Sequence, residues 1–343
     1  MTKQLDGVFE GGGVRGIGLV GALSVIEEND YEFVNLAGTS AGAIVASLIA
    51  AGYKAAEIRE IIEDLDFRRL TDSSAVGRIP LVGKWIELLF YLGMYRGDNF
   101  LNLMRDLFAQ KGKRTFGDLV MPEFASEPRY RFKVRIVAAD VSRGRMVVLP
   151  DDIAAYGLNP EDLDIALAVR MSMSIPFFFR PVQQANPGGE RSYVVDGGLL
   201  SNFPIELFDS DGEPAWPTFG FRLVESRTPP VIEHKIGGLI SLLAALFETA
   251  AGAHDARYIE THNFVRTITI ATGGVAPTKF TLTAEDKLFL YESGVQAARD
   301  FLSQWDFEAY KLAFRSGAPT PSRRDLLKKA LDEKKATPSE AVG

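Results

Sequence analysis

Two successive strand–turn–helix units open the chain, and they constrain its fold more than any other feature. In each unit a short apolar segment runs into a glycine-rich turn, after which apolar residues recur at helical spacing. Repeated units of this kind predict a parallel sheet with helices on its faces, the α/β class. The first unit is Gly7–Phe9, the turn Gly11–Gly13 and the helix Ile17–Glu27, and the second is Phe33–Ala37, the turn Gly38–Gly42 and the helix Ala43–Ala51.

The rest of the chain shows no internal repeat and no linker between domains. Its 343 residues would suit about two domains, but one domain with insertions fits the pattern better. We therefore expect one domain over residues 1–318, an insertion near 70–100 and a disordered tail over 319–343, which holds almost no large apolar residues. Within the insertion, the apolar segment Trp85–Leu92 predicts either a buried helix or a cap or acyl-chain groove with a face towards a membrane surface. Gly237–Ala251 carries the same two interpretations, of which burial in the core is favoured.

Composition excludes several classes of function. The net charge of −7 argues against a nucleic-acid-binding surface, which would be basic. The absence of Cys excludes disulfide scaffolds and cysteine nucleophiles, and three His are too few for a histidine-rich metal site. With no apolar run of about 18 residues and no secretory signal pattern, the expectation is a cytoplasmic protein.

The turn Gly38-Thr39-Ser40-Ala41-Gly42 matches the pattern Gly-x-Ser-x-Gly between a strand and a helix. A serine on so sharp a turn needs neighbours without a Cβ, and the following helix N-terminus favours negative charge at the serine oxygen. Ser40 is therefore a candidate nucleophile. The alternative is an ordinary glycine turn whose serine caps the helix.

The turn Gly11-Gly12-Gly13-Val14-Arg15-Gly16 places several backbone N–H groups at the start of a helix. Such a nest suits a phosphate or the oxyanion of an acyl-transfer intermediate. A dinucleotide site fits poorly, because no acidic residue ends a strand about twenty residues further on. Downstream, Asp196-Gly197-Gly198 ends a short strand, where an ionised Asp196 could accept a serine proton directly or simply bond its own turn.

Taken in order, these three motifs resemble those of the patatin-like phospholipase family. Ser172-Met173-Ser174-Ile175-Pro176-Phe177-Phe178 and Leu199-Leu200-Ser201-Asn202-Phe203-Pro204 are also similar to segments of that family. The resemblance covers roughly residues 3–208, and nothing diagnostic follows it.

The resemblance implies a three-layer α/β/α sandwich with a mainly parallel sheet and a Ser–Asp dyad that hydrolyses lipid acyl esters. Ser40 would be the nucleophile and Asp196 the general base. The oxyanion loop would be formed by Gly11, Gly12, Gly13, Arg15 and Gly16. We expect a phospholipid or lysophospholipid substrate, contact with a membrane surface, and neither metal nor cofactor.

Three alternatives remain open from the sequence. A conventional triad would use His234, His254 or His262, which follow Asp196 in the chain order of such enzymes. An acyltransferase or thioesterase would use the same dyad with another acceptor or donor. A non-catalytic lipid- or nucleotide-binding protein would use the glycine loop alone.

Overall fold

The computed structural model describes residues 2–64, 72, 91–124, 126–209, 212–225, 237, 242, 245–246, 249–250, 261–277, 279 and 281–315. In these residues the strands are β1 (Lys3–Phe9), β2 (Tyr31–Thr39), β3 (Gly93–Tyr95), β4 (Val134–Asp140), β5 (Arg145–Leu149), β6 (Phe177–Phe179), β7 (Val182–Ala185), β8 (Arg191–Asp196), β9 (Thr218–Val224) and β10 (Thr267–Ala271). The helices are α1 (Ile17–Glu28), α2 (Ala41–Ala51), α3 (Ala55–Asp64), α4 (Asp98–Gln110), α5 (Ile165–Ser172), α6 (Thr261–Val265), α7 (Ala284–Gln304) and α8 (Phe307–Phe314).

The main sheet has the strand order β10-β9-β1-β2-β4-β8-β7, with β5 also paired to β4. Strands β10, β9, β1, β2 and β4 run parallel to one another, whereas β5 and β8 pair antiparallel with β4 and β7 pairs antiparallel with β8. The α/β class and the mainly parallel sheet are thereby confirmed. Strands β9 and β10 follow residue 208, so the part of the chain beyond the family resemblance completes the sheet.

The two faces of the sheet are covered by different layers. On one face Phe219 of β9 packs edge-on against Phe301 of α7, and α7 in turn packs along α1. On the other face Val8 of β1 contacts Phe208, which ends a short 3-10 turn, and Phe203 packs against the same cluster. Alternation of side chains along each strand places these two sets on opposite faces.

Strand β4 brings the ends of two other strands together. Thr39 at the end of β2 pairs with Val137, and Asp196 at the end of β8 pairs with the next residue, Ala138. Strand β5 pairs with residues 136–140 of β4 and so occupies its other edge. A strand has only two edges, so β2 and β8 must approach each other end to end along the same edge of β4. The residue after Thr39 is Ser40.

The structure refines two of the predicted elements. The sequence pattern also predicts a helix over 161–173. In the structure it begins at Ile165, because the Asp164 side chain caps it by accepting from Leu167 N at 3.1 Å. A strand is likewise predicted over 264–272, and it begins at Thr267 because Thr261–Val265 is helical. The tail 319–343, most of Trp85–Leu92 and most of Gly237–Ala251 lie outside the described residues.

Contacts divide the chain into two compact units. The first comprises Met1–Asp209 and Trp216–Gln304, and it contains both sheets. The second comprises Ser210–Ala215 and Trp305–Gly343, and its described residues include α8, which the Asp306 side chain caps. Throughout the described ranges, every helix is too short or too polar to cross a membrane.

Close packing of α1 on α7 depends on glycine at the contact. A Cβ on Gly21 would overlap the carbonyl oxygen of Tyr291, whereas a Cβ on Gly188 would meet nothing within 4 Å. Gly21→Ala should therefore lower the free energy of unfolding by about 1–3 kcal/mol, the usual cost of overpacking. Alanine has a higher helix propensity than glycine by about 1 kcal/mol. A loss of stability in Gly21→Ala would therefore come from the packing contact and not from helix propensity.

Urea unfolding followed by circular dichroism measures this difference, with Gly188→Ala as the matched control. An unchanged or raised midpoint for Gly21→Ala would contradict the close contact between α1 and α7.

Candidate active site

Ser40 lies on a strained turn between β2 and α2. Its backbone angles are φ 52° and ψ −120°, in the left-handed half of conformational space that non-glycine residues avoid. Such a conformation costs about 1–3 kcal/mol and persists only where the surroundings impose it. Here close packing imposes it: a Cβ on Gly42 would overlap the carbonyl oxygen of Phe9, and one on Gly38 would overlap the backbone of Gly42.

A buried serine, Ser172, fixes this turn through hydrogen bonds. The Ser40 N–H donates to Ser172 Oγ at 2.9 Å, and Ser172 Oγ donates to the Val137 carbonyl at 2.6 Å. Ser172 is fully buried at the end of α5, so the turn is fixed to both α5 and β4. The preceding Thr39 hydroxyl donates to the Ser201 carbonyl at 3.0 Å. Ser40 itself is 7% exposed.

Asp196 lies at the end of β8 and is almost completely buried. Its N–H donates to the Ser174 carbonyl at 2.9 Å, and its Oδ1 accepts from Gly198 N at 2.8 Å. Its other oxygen, Oδ2, is buried without a hydrogen bond of full geometry to any described residue. A carboxylate oxygen with no other donor is available to take a proton.

The two side chains are close enough to interact. Burial raises the pKa of the Asp196 carboxyl to about 7, while the nearby Ser40 hydroxyl and the Gly198 N–H favour the charged form and act in the opposite sense. The Ser40 hydroxyl thus lies within interaction range of the carboxyl, although it falls short of full hydrogen-bond geometry at Oδ2. Catalytic hydrogen bonds are often long before substrate binds.

The glycine turn after β1 lies beside Ser40. Gly11 N donates to the Asn202 carbonyl at 3.1 Å, and Asn202 Nδ2 donates back to the Gly11 carbonyl at 3.1 Å. A Cβ on Gly11 would lie only 3.2 Å from the Ser40 Cβ, which places the start of the turn directly against the serine. Asn202 therefore joins the segment after Asp196 to the turn beside Ser40.

Some backbone N–H groups of this glycine turn already donate hydrogen bonds, whereas two have no acceptor among the described residues. Val14 N donates to the Pro277 carbonyl at 3.1 Å, and Arg15 N donates to the Gly12 carbonyl at 3.2 Å. Across the described residues, no acceptor engages Gly12 N or Gly13 N. Gly13 has φ 55° and would meet the Pro277 carbonyl if it carried a Cβ. The Arg15 side chain is turned to the Gly12 carbonyl and to Glu225, at 3.4 and 3.7 Å.

Behind Asp196, a buried arginine organises the segment that follows α5. Arg170 is 4% exposed, and burial lowers the pKa of its guanidinium to about 10. Its Nη1 donates to Ser174 Oγ, and Ser174 Oγ donates to the Arg170 carbonyl at 2.6 Å. Since the Ser174 carbonyl accepts from Asp196 N, Arg170 fixes Asp196 indirectly.

The histidines predicted as alternative bases contribute nothing to the described geometry. His234 and His254 lie outside the described residues, and only the backbone of His262 is described, in α6. Where side chains are described, no group of three or more His, Asp or Glu is placed to hold a metal ion.

Comparison with known proteins identifies the family. A family model for patatin-like phospholipases matches residues 7–209, which is more than half of the chain. The chain belongs to the patatin-like phospholipase family. Both motif turns and Asp196 lie inside the matched range, whereas β9 and β10 lie beyond it.

Similarity to individual proteins adds to the match with the family model. YqhO of Bacillus subtilis (strain 168), an uncharacterised protein, is 42% identical over 305 residues, which cover 88% of this chain and 99% of YqhO. The cUMP-AMP-activated phospholipase of Escherichia coli is 28% identical over 219 residues, covering 60% of this chain and 58% of that protein. The crystal structure of VipD from Legionella pneumophila superposes with a TM-score of 0.54 at 18% identity, covering 88% of this chain and 67% of VipD, and shows a shared fold.

Four residues of this patatin-like site were not predicted individually from the sequence: Arg170, Ser172, Ser174 and Asn202. Ser172, Ser174 and Asn202 fall in segments that carried the family resemblance, but their hydrogen bonds depend on backbone groups distant in sequence. For Arg170 the sequence does contain a signal that could have predicted a structural role. It is a single charge in an apolar helix, four residues before a serine.

Burial of Asp196 should make stability depend on pH in a definite direction. Its pKa is raised from 3.8 to about 7, so the native state holds a proton that the unfolded state releases between these values. The contribution to stability is therefore full below about pH 4 and is lost as pH rises to 7. Asp196→Asn keeps an acceptor for Gly198 N and removes the buried charge, so it should melt at a higher temperature than wild type at pH 8.

Thermal unfolding from pH 5 to pH 8 checks this expectation. The advantage of Asp196→Asn should grow with pH up to about 7 and then level off. A variant less stable than wild type at pH 8, or a difference independent of pH, would contradict the buried, unpaired state of the carboxyl.

Proposed function

We propose that this protein is a serine hydrolase that cleaves the acyl esters of a phospholipid or lysophospholipid at a membrane surface. The observation that carries the proposal is the approach of β2 and β8 along one edge of β4, which brings the Ser40 hydroxyl within range of the buried Asp196 carboxyl. The names of the E. coli phospholipase and of a probable lipid hydrolase of Invertebrate iridescent virus 6, 24% identical over 220 residues, support a lipid substrate.

In the proposed reaction, Asp196 acts as the base without an intervening imidazole. Its Oδ2, which has no other donor among the described residues, takes the Ser40 proton as Oγ attacks the acyl carbonyl. The tetrahedral intermediate expels the alcohol, which receives that proton, and leaves an acyl-serine. Water then attacks the acyl-serine and gives a proton to Asp196. The fatty acid leaves as the proton returns to Ser40.

The oxyanion that forms in each half of the reaction needs donors in place beforehand. We assign this role to the N–H groups of Gly12 and Gly13, which no described residue engages, at the turn that begins beside Ser40. Gly11 and Arg15 shape the turn, since their own N–H groups are already bonded. Gly16 lets the turn approach α2, because a Cβ there would lie 3.2 Å from the Ala41 Cβ.

The proposed hydrolase domain extends beyond the residues that the family model matches. Strand β9 pairs with β1 immediately before the glycine turn, and α7 packs against α1 immediately after it. The Glu10 side chain, one residue before the turn, accepts from Leu223 N of β9. These contacts support a domain that runs through β9, β10 and α7.

Replacement of the nucleophile tests the proposal. Ser40→Ala should abolish hydrolysis of a short-chain p-nitrophenyl ester and labelling by a fluorophosphonate probe, because no other group would carry the acyl chain. Ser201→Ala is a matched control, since the Thr39 hydroxyl bonds the Ser201 carbonyl and not its side chain. The control should keep both labelling and turnover.

Two further readouts complete this test. Product analysis with a lysophospholipid distinguishes release of free fatty acid from acyl transfer to another alcohol, which an acyltransferase would show. Unchanged turnover and labelling in folded Ser40→Ala would remove Ser40 from the chemistry.

A further inference from the structure

A small second sheet next to the site displays exposed apolar side chains. Strands β3 and β6 pair in parallel, with Gly93 opposite Phe177 and Tyr95 opposite Phe179. Tyr91 and Leu92 immediately precede β3 and are 49% and 48% exposed, and Phe177 at the start of β6 is 39% exposed. We call Tyr91, Leu92 and Phe177 the β3/β6 patch.

Backbone strain accompanies this exposure. Leu92 has φ 60° and Phe177 has φ 69°, in the left-handed region that bulky residues rarely adopt. Neither side chain recovers the cost of that conformation by burial, because both remain exposed. Strained residues that the fold maintains tend to cluster at functional surfaces. Exposure and strain therefore point independently to the same patch.

The β3/β6 patch is tied to the proposed catalytic base. Arg170 Nη2 donates to the Arg96 carbonyl, just after β3, at 2.7 Å and to the Arg180 carbonyl, just after β6, at 2.9 Å. Its Nη1 donates to Ser174 Oγ, and the Ser174 carbonyl accepts from Asp196 N at 2.9 Å. One buried guanidinium thus holds both strands of the small sheet and the segment that supports Asp196.

The chain also limits the distance between patch and site. Phe177 is three positions after Ser174 in the chain, so their Cα atoms are at most about 11 Å apart. A surface held on the patch would consequently lie close to the residue that bonds Asp196.

We propose that the β3/β6 patch is the surface by which this protein docks on a phospholipid bilayer, so that a lipid can pass directly to Ser40. The inference rests on the proposed lipid hydrolysis, since that is what makes a bilayer the partner for an apolar surface beside the site. The Arg180 guanidinium lies 4.0 Å from the centre of the Tyr91 ring. An aromatic ring paired with a cation in this way suits the headgroup layer of a bilayer. Leu92 and Phe177 suit the acyl boundary below it.

The net charge of the chain indicates which kind of bilayer the patch would contact. The net charge of −7 opposes approach to an anionic membrane, so apolar insertion and not electrostatic attraction must supply the binding. The expected surface is therefore a zwitterionic one, represented by phosphatidylcholine vesicles.

The absence of Cys from the sequence allows a single fluorophore to be placed at will. Leu92→Cys, in the Ser40→Ala background so that vesicles remain intact, is labelled with an environment-sensitive dye. Leu158→Cys is the matched control. Leu158 is 44% exposed, and it follows the 3-10 turn Asp151–Tyr156, outside the β3/β6 patch.

Phosphatidylcholine vesicles should shift the emission at position 92 to the blue and leave position 158 unchanged. An absent shift at position 92, or equal shifts at both positions, would overturn the proposal. A shift that follows protein concentration without lipid would assign the patch to a dimer and overturn it too. Because this assay needs no turnover, it stands even if the proposed hydrolysis fails.

A kinetic comparison tests the consequence for the substrate. Tyr91→Ser/Leu92→Asn, where asparagine tolerates the left-handed backbone, is compared with the control Phe264→Ser/Leu158→Asn. Hydrolysis of phosphatidylcholine vesicles should fall at least about tenfold in the patch variant, as expected from losing two apolar side chains. Hydrolysis of a soluble p-nitrophenyl ester should stay within about twofold. Equal rates on vesicles for patch variant, control and wild type would reject the docking role.

Discussion

The end-to-end approach of β2 and β8 along one edge of β4 is the constraint on which the rest of the structure depends. Strand β5 occupies the other edge, so the two strand ends have nowhere else to pair. One end delivers Ser40 and the other delivers Asp196 from residues far apart in sequence. The Gly197 turn fits this junction only because it lacks a Cβ, which would overlap the Val137 carbonyl. The proposed dyad of Ser40 and Asp196 thus depends on how these strands pair.

Both members of the proposed dyad are held in states that cost the folded protein stability. Ser40 keeps a strained backbone, and Asp196 is buried with its pKa raised to about 7 and one oxygen without a partner. Their supports are hydrogen bonds from neighbouring elements, through Ser172 to the serine turn and through Ser174 to the aspartate. We propose that the burial which costs this stability also raises the pKa of the Asp196 carboxyl, so that it can act as a base near neutral pH.

Local pattern predicted much of the fold but little of the support around the site. Glycine turns between apolar segments predicted both strand–turn–helix units. The sequence pattern also predicts a strand over Arg145–Leu149 and a long helix over 284–305. The structure has β5 with those bounds and α7 ending one residue earlier, at Gln304. The bonds of Ser172, Asn202 and Arg170 could not be predicted, because each joins groups whose proximity is set by the tertiary fold. For Tyr91 and Leu92 of the β3/β6 patch the sequence left burial and lipid contact both open, and only the structure shows that they are exposed.

The pH dependence of kcat/KM in a variant that lacks His234, His254 and His262 tests the central claim most directly. Imidazole and the buried carboxyl would both titrate near neutral pH, so the histidines must be absent for the result to be assigned. With a soluble ester as substrate, this variant should retain activity within about tenfold of wild type. Its rate should rise with pH through about 7, as Asp196 becomes ionised. A folded variant without activity, or one whose rate is level from pH 5 to pH 8, would contradict Asp196 as the direct base.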